Sequence, residues 1–174
     1  MKPMERLLQI DTKHSQRARI PEGRTGLKKV AAFLAHSGDS WFWGVGLVLL
    51  WFLGPRDWRP QIALLFLGIF FTAVIVLILK FLIRRPRPEG EWGQVYRSSD
   101  PHSFPSGHAA RAAMLSLIML LSGFWWMGLI LVLWTILVDL SRVGLGVHYF
   151  SDILVGTLIG IVMGLFAIFV YGLF

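Results

Sequence analysis

Apolar residues in this chain fall in long unbroken runs, and polar residues crowd the gaps between them. Residues 61–83 form the clearest run, with Lys80 as its one charge. Further runs cover residues 107–123, about 124–140 and about 150–174, and each suits a helix crossing a membrane. Residues 41–53 are uninterrupted but short. As a helix they would rise only about 20 Å, against a hydrocarbon core of roughly 30 Å. They span only if residues 38–40 enter the interface or the bilayer thins locally. Their tryptophans, with Trp58, suit an interfacial aromatic belt.

The pattern predicts an all-α, integral membrane helical bundle of about five transmembrane helices. Gly156, Gly160 and Gly164 recur every four residues on the last run, a small-residue seam for close packing between helices of one chain. Before the first run, residues 1–24 are charged and read as a tail or short surface helix. Residues 25–36 set Leu27, Val30, Ala31, Phe33 and Leu34 beside Lys28 and Lys29, as an amphipathic interfacial helix does. Ser37-Gly38-Asp39-Ser40 offers a turn and helix N-cap. The expected division is a basic tail and interfacial helix over 1–36 and a membrane-embedded domain over 37–174.

Composition agrees. Only 16% of the 174 residues are charged and 55% are hydrophobic, whereas a soluble domain carries roughly 25% charged residues. The formal charge of +7 is clustered between apolar runs, which points to anionic lipid or a phosphorylated substrate and away from nucleic acid. With no cysteine, disulfide and thiolate chemistry are excluded. No cleavable signal peptide is expected, because some forty residues rich in charge precede the first apolar run.

Three polar clusters at the ends of the runs could carry chemistry. The first begins at Lys80 and ends in Arg84-Arg85-Pro86-Arg87-Pro88, where prolines stop the helix. Arg84 and Arg85 read as a basic flank meeting lipid headgroups. Lys80 lies inside the apolar run, where a charge is either functional or snorkels outward. The second is Ser103-Phe104-Pro105-Ser106-Gly107-His108, a glycine-containing loop entering a helix, which directs backbone N–H groups at an anion. The third spans Ser141 to Asp152 and holds Arg142, His148 and Asp152. The four-residue spacing lets Asp152 hold one imidazole nitrogen and leave the other as base or nucleophile.

All three clusters fall on one side of the predicted bundle. Together they supply three cations, two neutral donors, two histidines and a carboxylate, a set that fits phosphoryl transfer without a metal. The two histidines with Asp152 could instead ligate zinc, although three adjacent cations oppose a dication. No cofactor is expected. Arg111 and Asp139 are expected to form a structural ion pair, His14 and His36 to be bystanders, and His102 could line the site mouth.

The motifs Lys-x6-Arg-Pro at Lys80, Pro-Ser-Gly-His at Pro105 and Ser-Arg-x5-His-x3-Asp at Ser141 together resemble the signatures of the type 2 phosphatidic acid phosphatase family, which shares its active site with the vanadium haloperoxidases. All three are intact and in family order. The resemblance implies His148 as the nucleophile forming a phosphohistidine, Asp152 as its orienting group and His108 as the acid for the leaving group. Lys80, Arg87, Ser106, Gly107 and Arg142 would hold the phosphate oxygens. The expected activity is a metal-independent lipid phosphatase acting on a polyprenyl phosphate or diphosphate, a polyprenyl-linked sugar phosphate, phosphatidate or phosphatidylglycerol phosphate. The expected partners are that substrate and membrane lipids, with no nucleic acid; the oligomeric state is left open. Vanadate-dependent halide oxidation and non-catalytic phospholipid binding or scrambling are the alternatives. Of the 17 lysines and arginines, all but Arg56 and Arg59 fall on the motif side. The positive-inside tendency therefore predicts a cytoplasmic site on a prokaryotic cytoplasmic membrane.

Overall fold

The computed structural model describes residues 3–90, 92–93 and 100–172. The polar connection after residue 83 is thus described except at residues 91 and 94–99. The helices are α1 (Pro3–Arg17), α2 (Thr25–Ser37), α3 (Ser40–Leu53), α4 (Arg59–Ile83), α5 (Gly107–Leu121), α6 (Trp125–Gly144) and α7 (Phe150–Tyr171), with a 3-10 turn, Arg56–Trp58, leading into α4. Among the described residues there is no strand, and an isolated bridge joins Pro86 to His102.

Among the described residues three segments are long and apolar enough to cross a membrane: Arg56–Ile83, α6 and α7. The apolar helices α3 and α5 are shorter, at 14 and 15 residues. Outward faces are greasy. Phe70, Leu77 and Leu82 of α4, Leu133 and Leu140 of α6, and Leu154 and Val162 of α7 are all exposed, as lipid-facing positions are.

At the centre stands α5. Ala109, Ala110, Arg111, Ala112, Met114, Leu115 and Ile118 are buried, and α4, α6 and α7 pack around it. Its alanines let the neighbours come close. The glycine seam of α7 receives α5: a Cβ on Gly156 would lie 2.4 Å from the Ser106 carbonyl oxygen, and one on Gly160 2.1 Å from that of Ala110. At the far end Gln61 donates to Ser122 Oγ at 2.7 Å, tying α4 to the end of α5.

Several expectations change. The fourth apolar run ends near Leu140, but α6 continues to Gly144, because Ser141 and Arg142 are buried there and Ser141 Oγ returns a hydrogen bond to Leu137 O. Of the two readings for the N-terminal segment the structure has the helix: Pro3–Arg17 form α1, which docks on the start of α7. Trp41 and Trp58 are exposed, whereas Trp43 packs on Trp134 (5.2 Å between centroids) and donates to Ser37 O. α2 packs on α6, burying Ala31 and Ala35 against Leu145 and Val147, with Leu27 and Phe33 outward.

Candidate active site

Each cluster reaches one spot because a helix terminus delivers it. α4 ends where Arg84 adopts a left-handed φ of 51° and the prolines begin, leaving Lys80 on the last turn and Arg87 in the extended segment beyond. α5 begins at Ser106, whose Oγ accepts from Ala109 N (3.4 Å) as an N-cap. The Ser106 N–H donates to Asp152 O at 3.0 Å, joining the starts of α5 and α7. Arg142 sits in the last turn of α6, and the turn through Gly146 (φ 68°) brings His148 back beneath it.

His148 is the hub, only 1% exposed. Its Nε2 lies 3.4 Å from Arg87 Nη1 and 3.4 Å from Arg142 Nη2. Its Nδ1 lies 3.4 Å from Asp152 Oδ2, an oxygen that also accepts Tyr149 N at 2.9 Å. Two guanidinium donors facing Nε2 require it to be the acceptor, so the neutral ring carries its proton on Nδ1, on the side of Asp152. Burial first, then the charges of Arg142, Arg87 and Lys80, push this imidazole well below its ordinary pKa. It is therefore a neutral base with a lone pair directed between two arginines.

Around it the cations are already engaged. Lys80 Nζ donates to the Asp100 carboxylate and to His102 O. Arg87 reaches Asp100 Oδ2 (2.7 Å), Asp100 O (2.6 Å) and Val147 O (3.1 Å). Asp100 thus spans the gap between two groups expected to hold phosphate. Beside it opens a cavity of about 280 Å³, lined on one wall by Lys80, Asp100, His102, Gly107, His108 and His148 and on the other by Ala73, Val76, Leu77 and Phe81 of α4. Ser106 lies behind this lining, fully buried, and its contact with Asp152 is through the backbone.

His108 lines the same cavity. Its Nε2 is 2.7 Å from Asp39 Oδ1, and the other Asp39 oxygen is 3.1 Å from His36 Nδ1. Burial alone would raise the Asp39 carboxyl, but these two histidines outweigh it and hold it down at about 2. His36 is therefore in the site's hydrogen-bond chain rather than a bystander. Asp39 stands at the N-cap position of α3 without capping it. Gly38 lets this turn approach, since a Cβ there would lie 2.9 Å from His108 Cδ2.

Two expectations about charged residues change. Arg111 donates to Gly38 O, and Asp139 accepts from Thr157 Oγ1 (3.4 Å); the anticipated Arg111–Asp139 ion pair does not form, because Arg111 reaches the turn between α2 and α3 while Asp139 reaches α7. Arg85 is not a lipid flank: its side chain is 13% exposed and ion-paired to Asp152 (2.7 Å) and Asp11 (2.8 Å). Nor are His108, His148 and Asp152 placed as a metal site; among the described residues no three His, Cys, Asp or Glu side chains are arranged to hold a metal ion.

The sequence pattern does not mark Asp39, Asp100, Asp11 or Arg85 as site residues, and reads Asp39 as a turn residue and Arg85 as a flank. A carboxylate at each polar margin was a usable signal for Asp39 and Asp100, as uncompensated cations need partners. Nothing local distinguished Arg85 from Arg84.

The PAP2 superfamily model matches residues 61–173. A decaprenylphosphoryl-5-phosphoribose phosphatase of Mycobacterium tuberculosis is 33% identical over 153 residues, covering 81% of this chain and 78% of that protein. An undecaprenyl-diphosphatase of Sulfolobus acidocaldarius is 29% identical over 140 residues, covering 77% and 66%. Among solved structures, a transmembrane PAP2-type phosphatidylglycerolphosphate phosphatase from Bacillus subtilis superposes with a TM-score of 0.75 at 24% identity, covering 92% of this chain and 84% of that one. LpxE of Aquifex aeolicus superposes with a TM-score of 0.70 at 26% identity, covering 92% and 93%.

Proposed function

The chain belongs to the PAP2 superfamily, and from that premise we propose how this membrane lipid phosphatase works and on what. The observation that carries the reading is His148 Nε2, held 3.4 Å from each of two arginines and backed by Asp152. A phosphoryl group enters the cavity and competes with the Asp100 carboxylate for Lys80 and Arg87. Arg142, with the N–H groups at the start of α5, takes its remaining oxygens. His148 Nε2 attacks phosphorus. The P–N bond forms as the P–O bond to the leaving group breaks, and Asp152 balances the positive ring. His108 gives its proton to the departing oxygen, then takes one from the water that cleaves the phosphohistidine. Its Cδ2–Nε2 edge faces Gly38 and Asp39, so Nδ1 is the atom for that exchange.

For substrate we favour a polyprenyl phosphate, diphosphate or sugar phosphate. The names of the relatives support this, and so does the cavity, with a cationic wall for the head and the apolar stripe of α4 for the chain's first carbons. For topology we favour five spans, α3 to α7, with α1 and α2 lying at the surface on the motif side. The eight lysines and arginines before α3 support a cytoplasmic site in a prokaryotic membrane. A cysteine in place of Arg56 should be labelled only from outside the cell; labelling from the inside alone would reverse this orientation.

The test is a single turnover with phosphate-labelled lipids, quenched in alkali, which preserves phosphohistidine. Label should appear on His148, fastest with polyprenyl substrates and with chelator present. A burst of free phosphate with no label at His148 would refute the nucleophile. The acid step has its own check. Asp39→Asn should lower kcat about tenfold or more on an alkyl-type leaving group, and much less on a nitrophenyl phosphate, whose departure needs little protonation. Equal losses on both would disconnect Asp39 from that step.

A further inference from the structure

α1 lies outside the segment that matches the family, yet through Arg85 it is linked to Asp152, the group that orients the nucleophile. Arg85 Nη1 bonds Asp152 Oδ1 at 2.7 Å and Ser151 Oγ at 2.6 Å, while Nη2 bonds Asp11 Oδ2 at 2.8 Å. The guanidinium also stacks 3.9 Å over the Tyr149 ring. Asp11 further accepts the Ser151 N–H (3.2 Å) and the Ser151 hydroxyl, and Ser15, one turn on, accepts the Phe150 N–H at 3.0 Å. The first two N–H groups of α7 are thus capped by side chains of α1, a job usually done by a residue next to the helix in sequence. Ser15 is 3% exposed, and the Asp11 and Arg85 side chains are 13% exposed.

We propose that Asp11 is a positioning residue for phosphoryl transfer: it anchors Arg85, and Arg85 fixes the Asp152 carboxylate against the His148 ring. Two physical points favour this over a purely structural clamp. A buried guanidinium needs its donors matched, and with Asp11 removed Arg85 has Asp152 as its remaining carboxylate partner. The fork then rotates onto Asp152 and draws Oδ2 away from Nδ1 of His148. In addition, the oxygens of Asp152 divide the work, Oδ1 to Arg85 and Oδ2 to His148 and Tyr149 N, so rotation of the carboxylate disturbs the ring directly.

This inference rests on His148 being the nucleophile, and the measurement separates the two. In the alkaline-quench single turnover of the full-length protein in lipid vesicles, both the rate constant and the amplitude of His148 labelling are read. Asp11→Asn keeps the shape and an acceptor for the Ser151 N–H but removes the negative charge that faces Arg85. It should slow labelling about 10- to 100-fold at unchanged amplitude, with KM within about twofold, as a small misplacement of reacting groups does. Ser15→Ala removes a cap without touching Arg85. It should lower the melting temperature and leave the labelling rate within about twofold of the parent. An Asp11→Asn protein that labels at the parent rate, with or without loss of amplitude, overturns the proposal, since amplitude alone reports the folded fraction. Absence of label on the parent protein instead removes the nucleophile assignment, and this proposal with it.

Discussion

His148→Ala should reduce phosphate release from a lipid phosphate by about a thousandfold or more, with the protein still folded and still binding vanadate. The size follows from what alanine removes. In the proposed mechanism the ring supplies the atom that bonds to phosphorus, and the other cavity groups donate hydrogen bonds or protons without offering a nucleophile as well placed. Folding should survive, because the deleted ring leaves a polar recess beside Arg87, Arg142 and the cavity, which water can fill. The pH profile of the parent carries the same information. The imidazole faces Arg142, Arg87 and Lys80 on one edge and Asp152 on the other, and its pKa is depressed. It stays deprotonated and competent as pH falls past the ordinary histidine value, and is lost only when pH passes the depressed one. A parent enzyme whose free-enzyme activity halves near pH 6.5, or a His148→Ala protein that retains a tenth of the activity, would contradict this account.

The second large effect concerns packing. Gly160→Ala should cost more than about 3 kcal/mol and eliminate activity, despite being the smallest substitution available. A Cβ there would lie 2.1 Å from the carbonyl oxygen of Ala110 and 2.9 Å from Ala113 Cβ. Neither neighbour can step aside, because both belong to α5, which is enclosed by three helices. The gain in helix propensity, about 1 kcal/mol, is too small to compensate. If α7 retreats to make room, Asp152 retreats with it and the Ser106 N–H loses its 3.0 Å bond to the Asp152 carbonyl. Gly46→Ala is the control. Nothing lies within 4 Å of a Cβ at that position on α3, so it should be neutral or stabilising by up to about 1 kcal/mol. Equal melting temperatures for the two variants in detergent would remove the seam from the description of the core.

These effects also show what the chain's pattern could and could not convey. Apolar runs located α4, α5 and α7 to within a few residues, since burial, against lipid for α4 and α7 and within the protein for α5, leaves an unbroken mark. The end of α6 was misjudged because Ser141 and Arg142 look like a boundary, whereas their polar groups are satisfied inside the protein. Motif spacing picked out His148, Arg87 and Arg142, which do meet. It could not reveal which carboxylate serves which cation. Arg85 and Arg84 are adjacent and identical, yet one crosses to Asp11 and Asp152 while the other donates back to Phe81 O at the helix end. Arg111 and Asp139 sit at matching depths in the pattern but point to different neighbours. Partner choice at that level depends on helix rotation and on loop paths, and neither is written in hydropathy.

The apolar lining of the cavity comes mostly from one stripe of α4, and two of its members, Leu77 and Phe81, are also more than half exposed on the outer surface. On the proposed reading, a bound lipid chain leaves the cavity sideways past these two side chains. Selectivity must reside in the head and its first few carbons. If the proposed polyprenyl substrate is right, a short and a long prenyl chain presented in the same bilayer should turn over at similar rates.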